Sequence, residues 1–415
     1  EAVLSSLSPV GAELSVRLTD AKDQTSDAKL NIRETDEGEY TLSATGDRVD
    51  VEVFQDFSSI WKPETTSTDA TSGGEDKKSE DPWPFDEGTP KLQGFASFRE
   101  VLLPDFSDLK DFEARWSTQA DAVSLRASGS WMENSSFTGE VRLSKMPEGI
   151  VEGSLQGRVE SVRIESLLRD LRPEETPSVE GLFGVGIDFS GSAPSLQSLP
   201  GRMEGDLSVE GRNGLIRSLK PERRVTRLLE VGSLAGILLS DTLNRPGVAA
   251  LGEVVKLFKE VPFQTLAIDV SRTGDRRTEI RKVELRGPYL SLDGAGVIEP
   301  SDLEGVPHSP MQIKLLFGAK DPLKDPLRIL GLLGTETIAG DYTEWKNPVI
   351  LKGTLLSPDP GDLWDSVIGA VERAATMNPK DLEKEGMKQD KDRKKKMEEQ
   401  AIEEGVNQLF NILGL

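Results

Sequence analysis

The chain contains no cysteine and only one histidine, His308, among its 415 residues. Without thiols it cannot form disulfides, use a cysteine nucleophile or bind zinc through cysteine. His308 lies in the proline-flanked segment Val306–Pro310. A Ser–His–Asp triad or a metal site with several histidines is therefore nearly excluded. The sequence predicts a protein that is not an enzyme and that has no metal or other cofactor.

Long apolar runs are also missing, because no stretch of the sequence reaches the ~18 consecutive apolar residues of a membrane-spanning helix. The chain begins at Glu1 rather than at Met, and no positively charged segment followed by an apolar one opens it. Such a pair of segments would be typical of a secretion signal. We interpret the sequence as a fragment or a processed form.

Positively charged residues are too few to balance the acidic ones. The chain has 50 Lys and Arg against 72 Asp and Glu, so its net charge is −22. Phosphate contacts dominate nucleic-acid affinity, so we expect no nucleic-acid partner. Hydrophobic residues make up only 36%, whereas 39 Gly and 24 Pro are present. This composition favours many short elements with a large surface, as in a repetitive β-structure whose strands contact only their neighbours.

Short runs of alternating apolar and polar residues begin with Leu14, Val16 and Leu18. A period of two is typical of half-buried strands. We predict connecting turns at Asp36–Gly38 and Thr45–Asp47, because such residues favour chain reversal. The spacing of these signals predicts an antiparallel meander.

Two later strands have the most one-sided pattern. Phe112 and Trp116 share a face of the predicted strand Asp111–Ser117. In Val179–Phe189 every second residue is apolar or Gly, and the central members of this face are Phe183, Val185 and Ile187. Gly129, Gly139, Gly153 and Gly157 lie in or beside the predicted strands between these two and permit sharp curvature of a sheet.

Helical spacing of apolar residues appears in four segments. Ile164–Leu171 and Gly361–Met377 are two of them. Between them, a predicted pair covers about Pro221–Ser240 and Pro246–Lys259, and Pro221 suits the first helical position. The apolar stripes of this pair include Leu228 and Leu229 in the first helix and Val254, Val255 and Phe258 in the second. Each stripe must be buried, and we expect the pair to form a wall or cap on the β-structure.

The order of motifs after Ser190 resembles the C-terminal region of the AsmA-like proteins of the bacterial envelope. The matching features are a Gly-rich double strand at Gly201–Gly211, Asn213–Ile216, a helix pair, Leu290–Ile298 and the closing Pro348–Leu355. The sequence also predicts a loop at Ser190–Leu196 before these features and a turn at Asn213–Gly214. The resemblance covers roughly Leu92 to Trp364. It implies an elongated β-groove, phospholipid transport between the inner and outer membranes, and an inner-membrane anchor outside this sequence. It also implies a location in the periplasm of a Gram-negative-type bacterium.

On this basis the predicted fold class is mainly β: an elongated, twisted, mostly antiparallel sheet curled into an open hydrophobic groove, with a few amphipathic helices toward the C-terminus. The expected parts are 1–61 (N-terminal groove), 62–91 (flexible acidic insertion), 92–189 (middle groove), 190–358 (AsmA-like region with the helix pair) and 359–415 (C-terminal helices).

The expected lining of the lipid groove is Leu14, Val16, Leu18, Phe112, Trp116, Phe183, Val185, Ile187, Leu290 and Leu292. The expected partners are phospholipid and, at each end, membrane surfaces or envelope proteins. Without the resemblance, the same pattern predicts two sheets that close on each other as a sandwich core. A scaffold for outer-membrane protein insertion is the alternative function, and a carbohydrate-active β-protein is the third.

Overall fold

The structure is a computed structural model. It describes residues 2–8, 11–19, 25–35, 38–50, 91–103, 106–131, 135–171, 174, 176–217, 219, 246–274, 277–300, 309–338, 340–354 and 358–376, with the backbone alone up to residue 27. Strands account for 64% of the described residues, and the described helices are short and mostly toward the C-terminus, so the predicted mainly-β class is confirmed. The sheet is mixed and does not close.

The chain divides into two compact units. Unit one comprises Glu1–Gly211 and Asp269–Thr278, and unit two comprises Arg212–Ile268 and Glu279–Leu415. Three strands contribute residues to both units, namely β11, β12 and β13 as defined below.

Unit one is built on ten strands that pair in chain order. They are β1 (Ala2–Ser8), β2 (Gly11–Thr19), β3 (Thr25–Glu34), β4 (Tyr40–Asp50), β5 (Leu92–Leu103), β6 (Phe106–Thr118), β7 (Ala122–Trp131), β8 (Ser136–Lys145), β9 (Val151–Arg163) and β10 (Val179–Ala193). Helix α1 (Ile164–Leu171) follows β9 and contacts β10 and β6, and the short α2 (Leu199–Arg202) contacts β10 and β9. The antiparallel meander is thus the main plan of this unit.

Two details of the topology predicted from the sequence are wrong. Thr45–Asp47 is not a turn but lies inside β4, which runs without interruption to Asp50. The pairing of β4 with β5 is parallel, so the meander changes direction there. Parallel neighbours require a long connection, and the chain between Asp50 and Leu92 supplies the length.

The predicted loop and turn before unit two also differ. β10 continues to Ala193, so the expected loop at Ser190–Leu196 begins later. Strand β11 (Glu204–Ile216) includes Asn213 and Gly214, which we predicted as a turn. Asn213 has a φ of 49°, a left-handed conformation that Asn tolerates better than most residues.

Unit two surrounds a compact aromatic core. Its elements are α3 (Pro246–Lys259), β12 (Val261–Arg272), β13 (Thr278–Arg286), β14 (Leu290–Ile298), β15 (Met311–Ala319), α4 (Lys324–Ile329), β16 (Leu333–Ile338), β17 (Tyr342–Trp345), β18 (Val349–Gly353), β19 (Pro358–Asp359) and α5 (Gly361–Thr376). Strand β15 pairs with β14, β17 and β18, and α3 packs on α4 and α5. None of the described helices combines the length and the apolar character that are needed to cross a membrane.

Candidate functional site

The sheet of unit one has two chemically different faces. Side chains along a strand alternate between the faces, and cross-strand partners share one face. One row of partners crosses eight strands without a charged residue: Ile32, Leu42, Gly94, Trp116, Leu125, Val141, Leu155 and Phe189. The next row on the same side is also apolar: Leu30, Ala44, Ala96, Ala114, Ala127, Gly139, Gly157 and Ile187. We call the side formed by these two rows the apolar face.

The large side chains of the apolar face are not sealed in a core. Ile32 is 42% exposed and Leu125 is 40% exposed, and most of the other large members of the two rows are half-buried. A sandwich core would instead bury residues at such positions almost completely. The described part of unit one therefore keeps an open apolar surface.

The apolar face is better covered at β3–β6 than at β7–β10. Ala44, Ala96, Phe98 and Ala114 are buried in one cluster there, with Trp116 packed against it. Phe112 and Phe137 stack with ring centroids 6.4 Å apart. Gly139 in β8 is less crowded. A β-carbon added at this residue would have only one atom within 4 Å, the Gln156 carbonyl oxygen at 3.8 Å.

Both ends of β9 and β10 are closed by buried residues. Val162 and Phe183 are 4% and 6% exposed near α1. At the other end Leu199 of α2 packs with Val151 and Ala193. Between these two buried ends, the residues of the apolar face on β9 and β10 are half-buried, and we call them the accessible stretch.

The opposite side of the same sheet, which we call the polar face, carries two clefts. The larger has a volume of about 1090 Å³ and the smaller about 630 Å³. Their linings are mostly Ser, Thr, Arg, Glu and Gln. Most of their lining residues lie on the side opposite to the predicted lipid lining, although Ile187 also borders the smaller cleft.

A row of mostly charged residues lines the smaller cleft. Arg115, Arg126, Glu140, Gln156 and Asp188 are cross-strand partners along it. The Arg126 Nε atom lies 3.0 Å from the Glu140 carboxylate, and Arg142 pairs with the same carboxylate. Desolvation raises the pKa of Glu140, but hydrogen bonds from Arg126 and Arg142 outweigh it and hold the pKa below its ordinary value. The Glu140 carboxylate thus stays ionised at neutral pH.

The predicted lining residues fall in three places. Leu14, Val16 and Leu18 lie in β2, with side chains outside the described residues. Phe112, Trp116, Val185 and Ile187 lie half-buried on the apolar side of unit one, whereas Phe183 is buried at its end. Leu290 and Leu292 are 0% and 7% exposed in unit two. They pack in a core there, so the open surface consists of residues of unit one alone.

The predicted helix pair is described only in part. Leu228 and Leu229 lie outside the described residues, as does 62–90 of the expected insertion. In α3, Val254 and Phe258 are 0% and 1% exposed, and Val255 is half-buried. The ring of Phe258 lies 5.9 Å from Trp364 and 6.3 Å from Trp345, so this helix helps to form the core of unit two.

Residues missing from the predicted lining are Leu125, Val141 and Leu155. They extend the row of Trp116 across three further strands. Alternation in their own strands was the available signal, but only the register shows that the apolar positions of successive strands coincide. Within the described residues no cluster of three or more acidic or histidine side chains is arranged to hold a metal ion.

In comparisons with known proteins, no protein-family model, no curated protein and no solved structure matches this chain.

Proposed function

We propose that this chain carries phospholipid without catalysis and that the apolar face of unit one holds the acyl chains. The observation that supports this proposal is the open apolar surface across β3–β10, on which Ile32 and Leu125 remain about two-fifths exposed. Large contiguous apolar patches on soluble surfaces mark sites that bind apolar partners or ligands.

The dimensions suit an acyl chain. Eight neighbouring strands spaced ~4.8 Å apart extend over roughly 34 Å. One leaflet of a bilayer core is about 15 Å deep, half of ~30 Å. Each CH₂ moved from water to an apolar surface contributes about 0.8 kcal/mol, so several methylenes suffice for retention.

Sliding between sites also suits the surface. The two apolar rows repeat similar side chains on successive strands, so neighbouring positions offer a lipid similar environments. Movement along such a surface requires no reactive group. Transfer between the inner and outer membranes, and a periplasmic location, follow from the AsmA-like resemblance and form part of the same proposal.

Lipid extraction tests the proposal most directly. The chain is purified without detergent from bacterial cells, and its organic extract is analysed by mass spectrometry for phospholipid per mole of protein. We expect near-stoichiometric phospholipid. A lipid-free protein would contradict the proposal and favour the scaffold function.

A matched pair of variants locates the lipid. Leu125 and Arg126 are adjacent, both exposed, and lie on opposite faces of β7. Leu125→Gln should lower the bound lipid severalfold, whereas Arg126→Gln should leave it unchanged. The ion pair of Arg126 is exposed and contributes little to stability, so the control should fold normally. Equal lipid content in both variants would place the lipid elsewhere.

A further inference from the structure

The larger cleft of unit one lies on the polar face, where the proposed acyl-chain surface has no part. Its floor contains a row of cross-strand partners: Ser117, Ser124, Arg142, Ser154 and Ser190. A second row beside it contains Ser144, Glu152 and Ser192. Six serines thus line one cleft of about 1090 Å³.

Serine is an unexpected choice at these strand positions. Thr and Val fit a pleated surface better than the smaller Ser does. Because serine side chains are short, they leave the cleft open to a ligand. Their hydroxyl groups both donate and accept hydrogen bonds. The Ser117 and Ser124 hydroxyls lie 2.8 Å apart, and one hydrogen bond between them leaves further capacity on both oxygens.

The charges around the floor balance. Arg142 and Arg202 line the cleft together with Glu152 and Glu204. A nucleic acid would require a basic surface, which this cleft does not provide. A peptide would rely on buried apolar or aromatic anchors or on a free strand edge, whereas this floor is the hydroxylated face of paired strands.

The spacing of the floor suits a regular ligand. Neighbouring strands place the serines ~4.8 Å apart, and five strands extend over roughly 19 Å. This interval is close to the length of one sugar unit in an extended β-linked glycan. A glycan also carries hydroxyls on both edges, which can exchange donated and accepted hydrogen bonds with serine.

We propose that the larger cleft of the polar face binds an extended, uncharged, β-linked glycan chain. The glycan lies across β6–β10 along the serine row, where Glu152 and the Arg142 N–H groups that do not bind Glu140 can bond to its hydroxyls. This site is independent of the acyl-chain surface, because the two occupy opposite faces of one sheet.

The test is titration calorimetry of the full chain with cellohexaose and chitohexaose, which are extended and β-linked. Maltohexaose, which is α-linked and curved, serves as the shape control. We expect saturable binding of at least one extended hexasaccharide, and binding of maltohexaose at least about tenfold weaker, a difference of ~1.4 kcal/mol. No saturation by either extended sugar up to about 10 mM, well above a Kd of 1 mM, would overturn the proposal. Equal binding of maltohexaose would also overturn it.

Two variants fill the cleft. Ser190→Gln changes an exposed floor residue and Ser124→Gln a half-buried one. Their controls are Ser136→Gln and Ser97→Gln, which are respectively exposed and half-buried on the same polar face but outside the cleft lining. We expect about a tenfold loss of glycan affinity in both cleft variants and none in the controls. Circular dichroism verifies folding, and a folded Ser190→Gln variant that binds normally would exclude the cleft as the site.

Discussion

The indole ring of Trp116 lies directly over the backbone of Gly94, its cross-strand partner on β5. A β-carbon at residue 94 would collide with Cε2, Cζ2 and Nε1 of that ring. The glycine therefore lets a large aromatic side chain lie flat across the neighbouring strand. This contact covers part of the apolar face where β4, β5 and β6 meet.

Replacing Gly94 by Ala should destabilise unit one. The added methyl group must displace the Trp116 ring, and overpacking of this kind costs about 1–3 kcal/mol. Gly139→Ala is the matched control, because the nearest atom to its new β-carbon is 3.8 Å away. Removing a strand glycine should there stabilise by about 0.5–1 kcal/mol. Urea unfolding measures both, and similar midpoints for the two variants would contradict the packing role of Gly94.

Val185 and Phe183 separate lipid binding from folding. Both lie on β10, but Phe183 is only 6% exposed whereas Val185 is half-buried on the accessible stretch. Phe183→Asp should destabilise by at least the ~3–5 kcal/mol typical of truncating a buried Phe. Val185→Asp should leave the chain folded and strongly reduce its phospholipid content. The measurements are thermal unfolding and extracted lipid per mole, and unfolding by Val185→Asp would indicate a closed core instead.

Local signals predicted several elements with the bounds that the structure has. The helix Ile164–Leu171 begins and ends as predicted, and so does Pro246–Lys259. In both cases a proline supplied a clear boundary, after the first helix and at the start of the second. The strand predicted at Val179–Phe189 begins at its predicted residue and continues to Ala193. These signals are local, so a single sequence is sufficient to read them.

The predictions failed where the structure of a segment depends on a strand that is distant in the sequence. Gly46 looked like a turn residue, but it pairs with Ala28 and Phe98 inside a continuous strand. A glycine in a strand carries the same local signal as one in a turn. The parallel pairing of β4 and β5 joins segments on either side of a long connection, and no local pattern encodes it. The same limit concealed the serine row, because its members come from five strands that only the register aligns.

The aromatic core of unit two should depend strongly on one side chain. Phe258 packs 6.4 Å from Phe317 and comparably close to Trp345 and Trp364. Phe258→Ala should cost about 3–5 kcal/mol, because the cavity that it leaves is lined by rigid rings. Val255→Ala on the same helix removes half-buried methyl groups and should cost only about 1 kcal/mol. Near-ultraviolet circular dichroism and urea unfolding report both, and equal losses would show that the rings repack around the cavity.

Tyr289 gives unit two a dependence on alkaline pH. Its hydroxyl lies 2.9 Å from the carbonyl oxygen of Leu257 and 2.8 Å from that of Glu260. Burial, together with the negative charge of Glu260, raises the pKa of Tyr289 to about 12. The pKa of Tyr in the unfolded chain is ~10, so the folded state favours the protonated form. Its contribution to the free energy of unfolding is complete below about pH 10 and is lost as the pH rises toward 12.

Tyr289→Phe should remove this contribution and flatten the fall in stability between about pH 10 and pH 12. The measurements are phenolate absorbance during alkaline titration and urea unfolding at several pH values. Tyr40→Phe is the control, since Tyr40 lies in β4 of unit one. The absorbance step near pH 12 should persist in the Tyr40 variant and shrink in the Tyr289 variant, because burial and the charge of Glu260 delay the ionisation of Tyr289. Burial also raises the pKa of Tyr342, so a smaller late component should remain in the Tyr289 variant. Loss of the step in the Tyr40 variant alone would show that Tyr40, and not Tyr289, ionises late, and it would contradict the prediction.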